Sequence, residues 1–313
     1  METYAYALTA IQYREKMANY NYSPPTQAWM ESGKRTEVMG HQVFVYEKGS
    51  GPDVILIHGF PTSCHDFRDL IGILEGAFRC VAFDFLGFGL SDKPAAFSYS
   101  LFQQTDLIEA LAAKKGISEA HIISHDMGTS AHTELLARQQ EGRLGFKIQT
   151  STFLNGSMIK DMATLTDFQR MLEDPQRLPE AMQACANMVE PYVPGLKKLM
   201  KKPEVISEED ETVMQELLLY QNGNQRIPNV YAYVRERYLH KERWLGALQN
   251  EKNPIQFVWA TGDPVANHAM GKKLSEMVPQ ARYTEVEDSG HFIPIEAPAT
   301  VAEAFKTFIG SDS

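Results

Sequence analysis

Short runs rich in β-branched and aromatic residues alternate with helical patterns between residues 36 and 155, and this rhythm limits the fold more than any other feature. The strand-like runs read QVFVYE, DVILIHG, RCVAFD, HIISH and FKIQTSTFL. One intervening stretch, LFQQTDLIEALAAKKG, has the apolar spacing of a helix and ends in Lys, Lys and Gly, as helices often do. Strands that alternate with helices form a mostly parallel sheet with helices on both faces. We therefore predict an α/β fold.

The α/β rhythm is interrupted once. Residues 157–247 are helical in pattern, rich in methionine, proline and charge, and contain no convincing strand. The rhythm then resumes with PIQFVWATGD, a helical stretch, ARYTEVED and a last helix. These changes predict an α/β core of residues 36–156 and 248–313, a helical cap of residues 157–247, and an N-terminal arm of residues 1–35.

The charge balance excludes several kinds of partner. The 313 residues include 30 Lys and Arg against 40 Asp and Glu, a formal charge of −10, and no basic run is present. We expect no binding to nucleic acid or to an anionic membrane, because both need clustered positive charge. The first 40 residues have no apolar signal segment, so we expect a cytoplasmic protein.

The stretch AHIISHDMGTSAHTELLARQ, residues 120–139, reads as a strand, an abrupt turn of small residues and a helix. Such a turn holds a nucleophile at its apex when small residues stand two positions to either side, here Ser124 and Gly128. Asp126 occupies the apex and is the predicted nucleophile. Two alternatives stay open: Ser124 as nucleophile, and a purely structural aspartate, since aspartate tolerates unusual turn conformations.

Other parts of a hydrolytic site follow in order along the chain. HGFPTS, residues 58–63, comes after an apolar strand, so the Phe60 N–H and the Met127 N–H are predicted to form an oxyanion hole. EDSGHFIPIEAP places His291 in a late loop, where we predict a general base. Asp263 follows the run IQFVWA and is predicted to orient that base, the alternative being a turn aspartate before a proline.

The motifs LIHGFPTS, FDFLGFGLSDKP, SHDMG, YVRERYLHKERWLGAL and DPVAN occur in this order. With them the chain resembles α/β-hydrolase-fold proteins of the epoxide hydrolase and haloalkane dehalogenase superfamily, and within it the mesoderm-specific transcript subgroup. The resemblance covers nearly the whole chain. It implies an α/β-hydrolase fold with an inserted helical cap. It also implies that Asp126 attacks an electrophilic carbon to form an ester, which water activated by His291 and Asp263 then hydrolyses.

The resemblance also bears on the leaving group. Dehalogenases of this superfamily commonly hold the halide with an indole N–H directly after the nucleophile, where this chain has Met127, and some have asparagine where it has Phe60. The arginine that follows the nucleophile in fluoroacetate dehalogenases is absent as well. Epoxide opening instead uses cap tyrosines, whose phenols are protonated at neutral pH.

The predicted cap contains five tyrosines, Tyr192, Tyr220, Tyr231, Tyr233 and Tyr238. Tyr233 best matches a family cap tyrosine and Tyr192 is its predicted partner, although each is also compatible with simple packing between helices. The methionines of the cap region either line a broad apolar pocket or fill the core. Among them are Met158, Met162, Met171, Met182, Met188 and Met200. The residues predicted to bind substrate are His58, Phe60, Met127, Asn155 and Met158.

These features predict a cofactor-independent hydrolase, with an epoxide hydrolase ahead of a haloalkane or haloacid dehalogenase and of an ester or lactone hydrolase. A non-enzymatic binding protein with the same fold is the alternative outside enzymes. No metal is expected, because His121 and His125 lie four residues apart on a strand, which separates their rings too far for one ion. The expected partners are a small apolar electrophile and water, and a homodimer is left open.

Overall fold

The structure is a computed structural model that describes residues 21–310. Its centre is an eight-stranded sheet in the order β1-β2-β4-β3-β5-β6-β7-β8. The strands are β1 (Lys34–Val38), β2 (His41–Lys48), β3 (Asp53–Ile57), β4 (Arg79–Phe83), β5 (Glu119–His125), β6 (Lys147–Leu154), β7 (Ile255–Ala260) and β8 (Arg282–Val286). β2 pairs antiparallel with β1 and β4, and the other pairs are parallel. The predicted α/β fold is confirmed.

Helices follow most of the strands. Before β6 they are α1 (Pro24–Ser32), α2 (Arg68–Leu74), α3 (Leu101–Lys114) and α4 (Met127–Gln140). Between β6 and β7 they are α5 (Asp167–Glu173), α6 (Leu178–Ala186), α7 (Val189–Lys197), α8 (Glu208–Leu219), α9 (Ile227–Val230), α10 (Tyr233–Leu239) and α11 (Lys241–Asn250). After β7 they are α12 (His268–Met277), α13 (Ile293–Glu296) and α14 (Pro298–Gly310). None of the helices within residues 21–310 is long and apolar enough to cross a membrane.

The sheet is buried on both faces because successive side chains of a strand point to opposite sides. In β3, Ile55 and Ile57 join one apolar cluster, which also includes residues of α3 and α4. Val54 and Leu56 join a second cluster, which includes residues of α2 and α14. Helices therefore cover both faces of the sheet, as the sequence predicts.

Two predicted segment boundaries fall inside elements. β1 begins at Lys34, so a boundary after residue 35 divides a strand that pairs along β2. α11 runs across the boundary after residue 247 and packs mainly along α4 of the α/β part. Of the predicted N-terminal arm, residues 1–20 lie outside the described residues. α1 packs against α8, where the Ser23 N–H and hydroxyl bind the carboxylate of Glu216.

Candidate active site

The turn between β5 and α4 places Asp126 in a conformation that few residues other than glycine adopt. β5 ends at His125, α4 begins at Met127, and Asp126 between them has φ of +47°. Ser124 is fully buried, and its hydroxyl bonds to Nδ1 of His132 at 2.9 Å rather than facing the site. At this turn the side chain that reaches the cavity is therefore that of Asp126.

Two glycines allow the chain to pack closely around this turn. A Cβ at Gly128 would lie 2.4 Å from the carbonyl oxygen of Ile57. A Cβ at Gly59 would lie 2.5 Å from the Cβ of Asp126. Both distances are far below van der Waals contact, so a side chain at either position would push the turn and the β3 loop apart.

The loop after β3 supplies a donor to the carboxylate. The Phe60 N–H donates to Oδ1 of Asp126 at 2.8 Å, which leaves Oδ2 3.6 Å from Nε2 of His291. The Met127 N–H belongs to the first turn of α4, where backbone N–H groups have no partner within the helix. The Met127 side chain is buried in the core, so the structure does not place this predicted substrate-binding residue on the cavity wall.

His291 and Asp263 form a buried hydrogen-bonded pair. Nδ1 of His291 lies 2.8 Å from Oδ2 of Asp263. The same carboxylate accepts hydrogen bonds from the Asn155 side chain at 2.9 Å and from the Val265 N–H at 2.7 Å. Burial alone would raise the pKa of Asp263, but the charge of His291 and these donors hold it below its ordinary value. Asp263 is therefore ionised and oriented toward His291.

The surroundings of His291 favour its charged form. Burial acts to lower its pKa, but the Asp263 carboxylate, through its charge and hydrogen bond, and the charge of Asp126 outweigh burial and raise the pKa to about 9. The free site thus holds an imidazolium between two carboxylates at neutral pH. Neutralisation of Asp126 therefore removes one of the negative charges that raise the pKa of His291.

The backbone of His291 is held from two sides. Its N–H donates to the carbonyl oxygen of Leu199, just after α7, at 2.8 Å. Its carbonyl oxygen accepts a bond from Nε2 of His125 at 2.8 Å, and burial lowers the pKa of His125 to about 4, so that ring is neutral. His125 thus supports the predicted base from the strand that carries the predicted nucleophile.

Glu296 in α13 ties the same loop to the helical segment. Its buried Oε2 accepts hydrogen bonds from the N–H groups of Gly290, Lys201 and Lys202 at 2.8 to 3.0 Å. Glu296 was not predicted from the sequence, although a carboxylate among the apolar residues of HFIPIEAP indicates a buried group that needs hydrogen-bond donors.

A cavity of about 380 Å³ lies above the carboxyl ends of the parallel strands. The α/β part contributes Phe60, Pro61, Asp126, Val265 and His291 to its wall. The helical segment contributes Thr166, Phe168, Gln169, Ala184, Met188, Pro191, Tyr192, Gly195, Leu196, Lys198 and Leu199. The wall is mostly apolar, and Asp126 and His291 lie together on it, at a position where open α/β sheets commonly bind ligands.

Three further residues that we predicted to bind substrate do not line this cavity. His58 is fully buried, its Nδ1 donates to the carbonyl oxygen of Gly59, and its Nε2 accepts the Phe85 N–H. Asn155 is also fully buried and supports Asp263 as described above. Met158 lines a separate cavity of about 10 Å³ next to α10 and α11. The structure thus does not bring these three side chains to the cavity, because proximity in sequence to the site does not determine which way a side chain faces.

The two predicted cap tyrosines are placed differently. Tyr192 lines the cavity and its hydroxyl donates to the carbonyl oxygen of Pro61 at 3.1 Å. Tyr233 is buried, with its ring centroid 5.8 Å from that of Phe60, and is not on the cavity wall. The neighbouring Tyr231 is 5.3 Å from Phe60 by the same measure, and its buried hydroxyl has no partner among the described residues. Burial raises the pKa of all three phenols, which keeps them protonated.

Of the six cap methionines named above, Met188 lines the cavity, whereas Met182 is 58% exposed. Arg237 in α10 was not predicted as a functional residue. Its guanidinium is buried and donates from Nη2 to the carbonyl oxygen of Asp126 at 3.1 Å. The helical segment thus reaches the backbone of the predicted nucleophile.

Residues 52–298 match the family described as alpha/beta hydrolase fold. The chain belongs to the alpha/beta hydrolase fold family. Within the family, the putative hydrolase LipZ of Mycobacterium tuberculosis is 37% identical over 284 residues, covering 90% of this chain and 97% of that protein. The mesoderm-specific transcript homolog protein of Homo sapiens is 30% identical over 311 residues, covering 94% and 92%. The resemblance predicted from the motifs is confirmed.

Solved structures share the fold of this family member. The haloalkane dehalogenase DbeA from Bradyrhizobium elkani USDA94 superposes with a TM-score of 0.77 at 20% identity, covering 90% of this chain and 98% of that one. The epoxide hydrolase CorEH superposes with a TM-score of 0.72 at 18% identity, covering 90% and 99%. Both likenesses concern the fold alone, since identity is low.

Proposed function

We propose that this alpha/beta hydrolase acts through a covalent alkyl ester on Asp126 and that epoxides are its best-supported substrate class. One observation carries the proposal. Asp126 lies at a constrained apex with one carboxylate oxygen bound by the Phe60 N–H, while the carboxylate borders an apolar cavity that His291 shares. A carboxylate in this position suits attack on an sp³ carbon, because the resulting ester is itself open to hydrolysis.

In the first step, Oδ2 of Asp126 forms a bond to an epoxide carbon while the carbon–oxygen bond of the ring breaks. The departing oxygen takes a proton from a phenol. Tyr192 borders the cavity, and Tyr233 remains the second proposed donor although it would have to move relative to Phe60 to reach the substrate. Both phenols stay protonated in the free enzyme because burial raises the pKa of each.

After alkylation, the imidazolium of His291 returns a proton through water to the phenolate, which leaves both groups neutral. In the second step, His291 takes a proton from water, and the hydroxide attacks the ester carbonyl carbon. The oxyanion that forms is stabilised by the N–H groups of Phe60 and Met127. Its collapse passes the proton of the added hydroxyl to the departing oxygen, which releases a diol and restores the Asp126 carboxylate and the His291 imidazolium. Alkylation prepares His291 for this task. The charge of Asp126 is one of the causes of its raised pKa, so an ester at that position lowers the pKa when a base is needed.

The tryptophans favour an epoxide over a halide. None of the three, all within residues 21–310, borders the cavity. The indole N–H of Trp259 donates to the carbonyl oxygen of Ala266, and that of Trp244 donates to Glu134. Trp29 packs against Tyr46 and His65. Among the described residues no indole donor for a halide therefore borders the cavity, which makes the dehalogenase the less favoured alternative.

We also propose that the helical segment acts as a cap on an α/β core, with residues 157–240 as the cap. This choice ends the cap before α11, which packs along α4. The substrate then binds between the two parts. A dehalogenase, an ester or lactone hydrolase, and a non-enzymatic binding protein remain the alternatives.

The experiment uses the variant His291→Gln to trap the ester. Purified protein is incubated with terminal, aryl and fatty epoxides, with haloalkanes and with p-nitrophenyl esters, and the peptide containing Asp126 is examined by mass spectrometry. An adduct with an epoxide supports the proposal, and an adduct with a haloalkane alone supports the dehalogenase. Ester turnover that survives Asp126→Ala but not Ser124→Ala contradicts an aspartate nucleophile.

Isotope labelling gives an independent check. In a single turnover in ¹⁸O water, a wild-type enzyme that uses Asp126 releases a first product with ordinary oxygen, and the label appears in the enzyme. Direct attack by water on the epoxide would label the first product instead. Ser124→Ala is the matched control, because the Ser124 hydroxyl is bound to His132 and lies outside the cavity.

A further inference from the structure

Arg237 joins the helical segment to the turn that carries Asp126. Besides the bond from Nη2 to the carbonyl oxygen of Asp126 at 3.1 Å, its Nε donates to the Ser130 hydroxyl in α4 at 2.8 Å. Its guanidinium carbon lies 4.7 Å from the ring centroid of Tyr233. The partners of this guanidinium are thus a carbonyl, a hydroxyl and an aromatic face.

The charge of Arg237 is unusual in this environment. The side chain is 95% buried, since its residue exposure is 5%, yet among residues 21–310 it takes part in no ion pair. A buried charge without an opposite partner is costly, and such groups are commonly retained for function. Arg237 binds the backbone of Asp126, whose residue also lines the cavity.

The carbonyl group of Asp126 receives three donors. The Thr129 N–H and the Thr129 hydroxyl bind it at 3.1 and 2.6 Å, both from within the first turn of α4. Arg237 supplies the third from the helical segment. Because Asp126 has φ of +47°, the orientation of this peptide is held by its contacts rather than by intrinsic preference.

We propose that Arg237 is a positioning residue for the nucleophile, acting through the Asp126 carbonyl group. It holds the peptide of the strained turn so that Oδ2 of Asp126 keeps its orientation toward the cavity. The orientation of the nucleophile then depends on the position of α10 relative to α4. The inference rests on the proposed function, since it assigns Arg237 to the alkylation step. A small misplacement of a reacting group lowers rates strongly, so the effect falls on rate rather than on substrate binding.

The first experiment compares Arg237→Gln and Arg237→Lys with Arg235→Gln, which changes an exposed arginine of the same helix. Single-turnover alkylation of Asp126 is measured with the epoxide that forms an adduct, beside KM and the thermal unfolding midpoint. Arg237→Gln is expected to lower the alkylation rate about 10- to 100-fold. KM stays within about twofold. Arg237→Lys restores part of the rate because it keeps a charged donor, and Arg235→Gln matches the wild type.

Double-mutant cycles decide how Arg237 acts. If it works through the turn, Ser130→Ala lowers the alkylation rate and adds little to Arg237→Gln, because both remove the same anchor. Tyr233→Phe should then lower the alkylation rate by the same factor in Arg237→Gln as in the wild type. Additivity with Ser130→Ala, or no further loss on combining Arg237→Gln with Tyr233→Phe, would overturn action through the turn.

Different results would contradict the proposed function and the positioning role of Arg237. A wild-type enzyme that forms no Asp126 adduct with any electrophile contradicts the proposed function and this inference together. Adducts that form equally fast in the wild type and in Arg237→Gln, with both proteins folded, contradict the inference alone. A loss of rate that appears only as a higher KM assigns Arg237 to substrate binding and also contradicts it.

Discussion

The contact between Asp263 and His291 predicts a change in how stability depends on pH. Asp263→Asn removes the largest influence that raises the pKa of His291 from its ordinary 6.5 to about 9. Burial, the largest single influence, then lowers the pKa against the charges of Asp126 and Glu296 only, so we expect the pKa to return to about 6.5 or below. The variant should keep its fold, because asparagine has nearly the same shape.

The size of the effect follows from linkage. The folded pKa of His291 lies above the unfolded value, so its contribution to stability is fully present below pH 6.5 and is lost as the pH rises through about 9. At about 1.36 kcal/mol per unit of pKa, the shift corresponds to about 3 kcal/mol. Asp263 itself has a lowered pKa, so its own contribution is lost only in acid, outside this window.

The assay is urea unfolding of the wild type and of Asp263→Asn at about pH 6 and about pH 9.5. The free energy of unfolding should differ between the two proteins by about 3 kcal/mol more at the lower pH. Lys93, whose pKa burial lowers to about 7, contributes with the opposite sign, but it is present in both proteins and cancels in this difference. NMR titration of the His291 ring measures its pKa directly.

The control is Asp288→Asn, which changes an exposed aspartate of the same loop region and leaves the His291 contacts intact. This control should follow the wild type at both pH values. A difference between the wild type and Asp263→Asn that stays constant from pH 6 to pH 9.5, or a His291 pKa that remains near 9 in the variant, would refute the reasoning. Turnover by Asp263→Asn should also fall by orders of magnitude, because the base loses its orientation.

Three other changes test the packing and chemistry of the site. Gly59→Ala should lower the free energy of unfolding by about 1–3 kcal/mol, since its methyl group would lie 2.5 Å from the Cβ of the apex residue. Its control, Gly72→Ala, sits in open space on a helix and should raise stability by up to about 1 kcal/mol in the same denaturation assay. Asn155→Ala should lower kcat about tenfold or more, because the Asp263 carboxylate loses the hydrogen bond from the Asn155 side chain. An unchanged kcat would contradict a role of Asn155 in positioning Asp263. Tyr192→Phe should slow single-turnover alkylation more than Tyr233→Phe, because Tyr192 lines the cavity. The reverse order would instead identify Tyr233 as the main proton donor, as the sequence predicts.

The parts of the site that depend on local pattern were predictable from the sequence. Asp126, His291 and Asp263 each follow a strand in a recognisable turn or loop, and parallel strands bring such loops to one edge of the sheet. The structure places His291 within hydrogen-bonding distance of Asp263 and next to Asp126. The glycine spacing around the turn was equally readable, because it reports a close backbone approach.

Side-chain direction was not predictable in the same way. His58 and Asn155 stand beside the site in sequence, but their polar groups are used up by buried hydrogen bonds to neighbouring loops. Arg237 gains its hydrogen-bond partners, and Glu296 two of its three, from segments more than 90 residues away in the chain. Such contacts arise from tertiary packing, and no periodicity or local motif encodes them.

The helical segment borders the cavity with two stretches that differ in their contacts. The stretch with Leu199, Lys201 and Lys202 is hydrogen-bonded to the loop of His291 and to Glu296. A change near these residues would displace His291, the proposed base, so we expect mutations there to lower the rate of the proposed reaction. The stretch from Thr166 to Ala184 borders the cavity without such bonds to the base. If the proposed function holds, we expect natural variation or directed evolution to reshape substrate preference through that stretch while Asp126, Asp263 and His291 stay unchanged.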